Sequence, residues 1–123
     1  MIKTGSIILK FWVPVIAWGA LISASSSIPG KYLEPLHASA IAPIAHFSEY
    51  FILGILLIRA FMAMPLNFSL TKLVILSIII TSLYGGIDEW HQHFVPQRCP
   101  DVLDFLVDSI GAAAGILLYI KIV

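Results

Sequence analysis

The residues best suited to chemistry lie in one segment, from Tyr84 to Asp108, which reads YGGIDEWHQHFVPQRCPDVLDFLVD. It holds five of the seven acidic residues of the chain, with two histidines and an arginine, between two apolar runs that are almost free of charge. Carboxylates and imidazoles can bind a divalent metal or act as general acid and base, and a guanidinium can hold an anion. The segment is therefore the first candidate for a functional site.

The rest of the chain is apolar enough to be scaffold within a membrane. Hydrophobic residues make up 59% of the 123 residues and charged residues only 11%, and the mean hydropathy is +0.98. The hydrophobic fraction and the hydropathy exceed those of soluble domains, and the charged fraction lies below theirs. A membrane-spanning helix needs about 20 apolar residues, so the chain has room for four. We predict an all-α integral membrane bundle of four transmembrane helices, forming a single domain over residues 1–123.

The predicted spans cover about 7–24, 43–64, 70–93 and 101–121. Pro14 is expected to kink the first span. The linker 25–42 holds two prolines and a glycine, and is expected to include a short helix on the membrane surface. A cleaved signal peptide is an alternative interpretation of the first span, because small residues follow it at Ser23 to Ser27. That alternative leaves three further apolar runs unexplained.

Basic residues next to the spans predict the orientation. Five of them would face the cytoplasm if both termini do, and two would face outward: Lys3, Lys10, Arg59, Lys72 and Lys121 inside, Lys31 and Arg98 outside. The excess favours cytoplasmic termini. The polar segment then lies at the outer end of the bundle.

Helical spacing shows which polar residues of the fourth span share a face, since side chains three, four and seven apart are neighbours. Asp101, Asp104, Asp108, Gly111 and Gly115 form one stripe. The two glycines let another helix approach closely. The aspartates in the first turn suit a helix amino terminus whatever the function. Asp108 lies two turns further in, where an ionised acid costs about 2.5 to 3.5 kcal/mol, so it needs a partner, a proton or water.

The second and third spans bring further polar groups to the same depth. On the third span Asp88 and His91 share a face, whereas Glu89 lies on a different face, beside Gln92. On the second span His46, Glu49 and Tyr50 share a face. Histidines 37, 46 and 93 also have a structural interpretation, as interfacial or hydrogen-bonded groups. The candidate catalytic residues are Asp88, His91 and Asp104, and the candidate binding residues are His46, Glu49, Tyr50, Glu89, Gln92, Arg98, Asp101 and Asp108.

Several classes of protein are disfavoured. Cys99 is the only cysteine, so no disulfide forms within the chain. Arg98 beside it could lower the pKa of the thiol, but a cysteine in a short loop is more often incidental. No Walker loop, dinucleotide fingerprint, HExxH or CxxC is present. The net charge is zero and there is no basic run, which argues against nucleic acid as a partner.

The polar segment resembles the signature of the VanZ-like family, small bacterial membrane proteins named for a teicoplanin-resistance protein. The resemblance rests on Glu89, Gln92, Phe94, Pro96, Arg98, Asp101, Asp104, Gly111 and Gly115, and extends to His46, Tyr50 and, more loosely, Trp18 and the segment 25–29. Two positions depart from the family. It often has glycine where this chain has Gln97, and often asparagine where it has Asp108.

The resemblance implies a multi-pass protein of the bacterial cytoplasmic membrane whose best-known relatives reduce susceptibility to lipophilic glycopeptide antibiotics. We expect an outward-facing polar cleft that binds or modifies an envelope lipid or lipid-linked precursor, in which Arg98 pairs with Asp101 or Asp104. Copies of the chain could associate through the Gly111 and Gly115 face.

Two other mechanisms stay open. The first is a metal-dependent hydrolase or transferase acting on a lipid-linked phosphate or ester, with Asp88, His91, Asp104 and Glu49 as ligands or as acid and base. A divalent metal is the only cofactor considered. The second is a proton-coupled carrier that uses Asp108.

The orientation can be tested without mutation, because Cys99 is the sole thiol. We predict that an impermeant maleimide labels Cys99 in intact cells, after any outer membrane has been made permeable. Protection of Cys99 until the inner membrane is lysed would place the polar segment in the cytoplasm.

Overall fold

The structure, a computed structural model, describes residues 3–37 and 41–123, and its described residues contain no strand. Four long helices dominate: the first helix Thr4–Ser26, the second Ile41–Ala63, the third Leu70–Gln92 and the fourth Val102–Ile122. Each is long and apolar enough to span a membrane. The predicted all-helical bundle is therefore confirmed, and the bounds of all four helices lie within three residues of the predicted spans.

The linker after the first helix contains a 3₁₀ turn, Gly30–Tyr32, and the short helix Glu34–His37. A short helix was predicted here. Residues 38–40 and the side chain of His37 lie outside the part that the structure describes, so the structural interpretation of that histidine stays a prediction.

Large apolar side chains cover the outer faces of the four helices. Leu9, Ile87 and Ile110, for example, are each more than 60% exposed. Soluble monomers rarely expose contiguous apolar surface on this scale, whereas helices surrounded by lipid do so by necessity. The exposed surface therefore agrees with the composition.

The first helix is irregular ahead of Pro14. A π-helical stretch, Ile8–Trp12, precedes the regular segment Val13–Ser26, in which Pro14 is the second residue. Proline has no N–H and its ring clashes with the carbonyl four residues earlier. A wider π turn accommodates both effects. The irregularity expected from Pro14 thus takes the form of a π-helical segment.

The second and fourth helices approach most closely where glycines meet the backbone of the other helix. A Cβ atom on Gly54 would lie 2.6 Å from the carbonyl oxygen of Ala112, and one on Gly115 would overlap that of Phe51. Gly111 lies equally close to Phe47. The small-residue stripe of the fourth helix therefore packs against the second helix of the same chain.

We predict that Gly115→Ala lowers the thermal stability of the protein in detergent. The added methyl group would meet backbone, which cannot move aside as a flexible side chain can, and overpacking of this kind typically costs about 1–3 kcal/mol. Gly86→Ala is the matched control, because its Cβ would meet Phe105 at an ordinary 3.6 Å. Equal melting temperatures for the two variants would contradict the close approach.

Candidate functional site

Polar side chains of all four helices meet at one end of the bundle. This end holds the carboxyl ends of the first and third helices and the amino ends of the second and fourth. Side-chain contacts join them there: Gln92 donates to Ser26, and His46 contacts Asp108. The sequence prediction that separate helices bring acids and histidines to one depth agrees with this arrangement.

One of these contacts is the pair formed by His46 and Asp108. Nδ1 of His46 lies 3.1 Å from Oδ1 of Asp108, whose side chain is fully buried. Gly85 of the third helix lies beside the aspartate, since a Cβ on that glycine would lie 3.4 Å from Cβ of Asp108. The sequence predicted that this acid needs a partner, a proton or water within the span. His46 of the second helix is that partner, while the other oxygen, Oδ2, has no hydrogen-bond partner among the described residues.

Glu89 links the third helix to the start of the fourth. Its Oε2 accepts a hydrogen bond of 3.1 Å from the backbone N–H of Asp101, and Asp101 in turn caps the fourth helix by accepting from the N–H of Leu103 at 3.0 Å. The geometry of Asp101 therefore agrees with its interpretation as a cap at the amino terminus of the fourth helix. Glu89 is 9% exposed, and its Oε1 finds no hydrogen-bond partner within the described chain.

One group of three side chains could hold a metal ion. A ligand atom from each of His46, Glu89 and Asp108 lies within 4.8 Å of the other two, and no other such group occurs among the residues described. The metal hypothesis from the sequence used Asp88, His91, Asp104 and Glu49 instead. The structure does not bring those four together in this way: His91 is exposed, and Asp104 is half-buried in the first turn of the fourth helix.

Beside this group lies a cavity of about 130 Å³. Its wall includes polar side chains from the first, second and third helices and from the loop 93–101, next to apolar groups of the linker and second helix. The lining residues are Ser25, Ser26, Ile28, Leu33, Ile41, Ala42, Ala45, His46, Glu49, Asp88, Gln92 and Arg98. Five of the predicted site residues thus share one cavity.

Arg98 caps the first helix. Its Nη2 donates to the carbonyl oxygens of Ser25 and Ser26, at 3.2 and 3.3 Å. The last carbonyls of a helix lack partners within it, and a basic side chain there is favourable. The predicted pairing of Arg98 with Asp101 or Asp104 is wrong, since the described residues contain a single ion pair and it joins His46 to Asp108. The Nε of Arg98 is buried and finds no partner among them.

Polar residues of the first helix contribute more than the sequence suggested. Oγ of Ser25 donates to Oε1 of Glu49 at 3.3 Å, and Nε1 of Trp18 donates to the backbone carbonyl of Glu49 at 2.9 Å. The hydroxyl of Tyr84 donates to the carbonyl of Gly19. The sequence signal for these contacts was the presence of hydroxyl and indole groups inside apolar spans. Their spacing could not identify partners on other helices.

Tyr50 is fully buried, and its hydroxyl has no partner among the described residues. It packs near Tyr84, with ring centroids 6.3 Å apart. The structure therefore places this predicted binding residue in the core beneath the cavity rather than on its wall.

The loop after the third helix packs tightly against the linker. The N–H of Gly30 donates to the carbonyl of Pro96 at 2.9 Å, and a Cβ on Gly30 would overlap the carbonyl oxygen of Gln97. Gln97 has a φ of 59°, in the left-handed region that glycine adopts most easily. The glycine that the resemblance implies for this position would suit its backbone better than glutamine does.

The fold and site define a multi-pass helical membrane protein with a buried polar cluster at one end of its bundle. The chain matches the family described as VanZ/LLP1 over residues 6–123, and it belongs to that family. Comparison with curated proteins and with solved structures finds no match.

The contacts of Arg98 predict that it stabilises the protein independently of Asp104. Arg98→Gln should lower the melting temperature in detergent, because two carbonyls at the end of the first helix lose a charged donor, a contact worth about 1.5–3 kcal/mol. Asp104→Asn should have a smaller effect. The loss of stability in the double variant should equal the sum of the losses in the single variants. A coupling energy above about 0.5 kcal/mol would show instead that Arg98 and Asp104 interact.

Proposed function

We propose that this protein binds the polar head group of an envelope lipid or lipid-linked precursor in the cavity at the end of its bundle, on the extracytoplasmic face of the bacterial cytoplasmic membrane. The cavity carries the proposal. It lies where four apolar helices end, so a lipid whose chains stay in the bilayer could place its head group there. The orientation rests on the distribution of basic residues alone.

The lining supports a particular chemistry of head group. Glu49 and Asp88 offer acceptor oxygens, while Arg98 and Gln92 are donors. A bound group would therefore both donate and accept hydrogen bonds, as a zwitterionic amine phosphate or a sugar does. At about 130 Å³ the cavity admits only part of such a group, so the remainder would lie at the membrane surface.

The phenotype that we propose is reduced susceptibility to lipophilic glycopeptide antibiotics, which follows from membership of the family and from the expectation that the resemblance supplied. When the protein binds an envelope lipid or precursor, that molecule is less accessible to such an antibiotic at the membrane. Association of copies through the Gly111 and Gly115 face receives no support, because that face packs against the second helix.

A metal-dependent hydrolase with Asp88, His91 and Asp104 as its catalytic set is a weaker alternative. The described residues that could jointly hold a metal are different ones. A proton-coupled carrier gains no support either, since Asp108 is fully buried against His46 rather than on the cavity wall.

We predict that expression in a sensitive bacterium lowers susceptibility to teicoplanin more than to vancomycin, and that Ala42→Leu abolishes the effect. Ala42 lines the cavity, so a larger side chain would fill it. Ala17→Leu is the matched control, because Ala17 is exposed on the first helix away from the cavity. His91→Gln should also preserve the effect, since this exposed histidine does not line the cavity.

Native mass spectrometry of the purified variants separates binding from phenotype. A lipid retained by the unaltered chain and by Ala17→Leu, but lost from Ala42→Leu, would support the cavity as the binding site. Equal retention by both variants, at equal expression, would contradict it. Loss of the phenotype in His91→Gln would instead favour the hydrolase.

A further inference from the structure

The buried acids at the end of the bundle are not balanced by buried bases. Among the described residues, the buried charged side chains are Asp88, Glu89 and Asp108, with no lysine or arginine. Placing ionised carboxylates in an apolar surrounding is expensive unless they are paired or bind a metal. His46 can offset one of these charges at most. Arg98 is half-buried on the same cavity wall as Asp88, and a proton or a bound cation would offset the charge that remains.

We propose that His46, Glu89 and Asp108 form a site for one divalent cation, held between the second, third and fourth helices. The ligand atoms of the three residues lie within 4.8 Å of one another. Two carboxylate oxygens point to the same conclusion, because Oε1 of Glu89 and Oδ2 of Asp108 are buried without a hydrogen-bond partner among the described residues. Both residues are at least nine-tenths buried.

The separation of the first two ligands suits metal coordination. Nδ1 of His46 and Oδ1 of Asp108 are 3.1 Å apart, close to the roughly 3.4 Å that separates two ligands in a tetrahedral zinc site with bonds of about 2.0–2.1 Å. A cation would replace the proton that this pair shares, so His46 would bind as neutral imidazole. Glu89 could supply Oε1 while Oε2 keeps its hydrogen bond to the backbone of Asp101.

The ligand set indicates which cations fit. One imidazole and two carboxylates favour Zn²⁺, Mn²⁺ or Fe²⁺, whereas Ca²⁺ and Mg²⁺ prefer oxygen ligands alone. Three protein ligands leave at least one coordination position for water or for another oxygen. His46 also lines the end cavity, so the site adjoins it. The site does not depend on a head group being bound, and it therefore goes beyond the proposed function.

The experiment measures Zn²⁺ and Mn²⁺ binding by the full chain, purified in detergent and freed of metal. We expect one ion per chain, with a rise in melting temperature that saturates at that ratio. His46→Gln, Glu89→Gln and Asp108→Asn should each weaken binding by more than the roughly 10- to 100-fold that changes outside the ligand shell cause. His93→Gln is the control, because it removes an exposed histidine outside the group. It should leave the affinity unchanged.

A measurement on the unaltered chain avoids dependence on variants that fail to fold. Electron spin-echo spectra of the Mn²⁺-loaded protein should show coupling to one imidazole nitrogen. Absence of that coupling, absence of stoichiometric binding, or an affinity equal in Asp108→Asn and the unaltered chain would overturn the site. The antibiotic phenotype and lipid retention could still be present in that case, so failure here is distinct from failure of the proposed function.

Discussion

The close approach of the second and fourth helices positions the buried pair at the end of the bundle. Glycines on both helices let the backbones meet where any larger residue would collide. That contact holds the amino ends of the two helices together and brings His46 within 3.1 Å of Asp108. If the helices were separated by the width of a leucine, the aspartate would face lipid or an unfilled gap.

Two further contacts fix the loop 93–101 to this frame. Arg98 binds the last carbonyls of the first helix, and Glu89 binds the backbone at the start of the fourth. Each contact satisfies helix-terminal groups that would otherwise lack partners. The second half of the loop is thus held, at Arg98 and Asp101, by side chains that the sequence assigned to binding. Capping and site formation are served by the same residues, which explains why polar residues are concentrated in so short a segment.

The sequence predicted the helices better than their contacts. Hydropathy and length located all four, and the stripe of Asp108, Gly111 and Gly115 correctly indicated a buried face. Helical spacing could not show that Glu89 turns toward the fourth helix while Asp88 turns toward the first, because both faces of the third helix are buried at this depth. The same limit applies to Arg98. Sequence proximity favoured Asp101 or Asp104 as its partner, whereas the fold offered the carbonyls of a helix more than 70 positions away.

The pairing of His46 with Asp108 also bears on how the protein enters the membrane. The two residues are 62 positions apart, and the fourth helix follows the other three during synthesis. Its aspartate would add about 2.5–3.5 kcal/mol to the cost of inserting that helix alone. The second helix, already in the membrane, offers the imidazole of His46 and a glycine-lined surface against which the fourth helix can pack. Insertion of the last span and tertiary folding are then one event, and lateral release of the fourth helix into lipid as a lone segment is disfavoured.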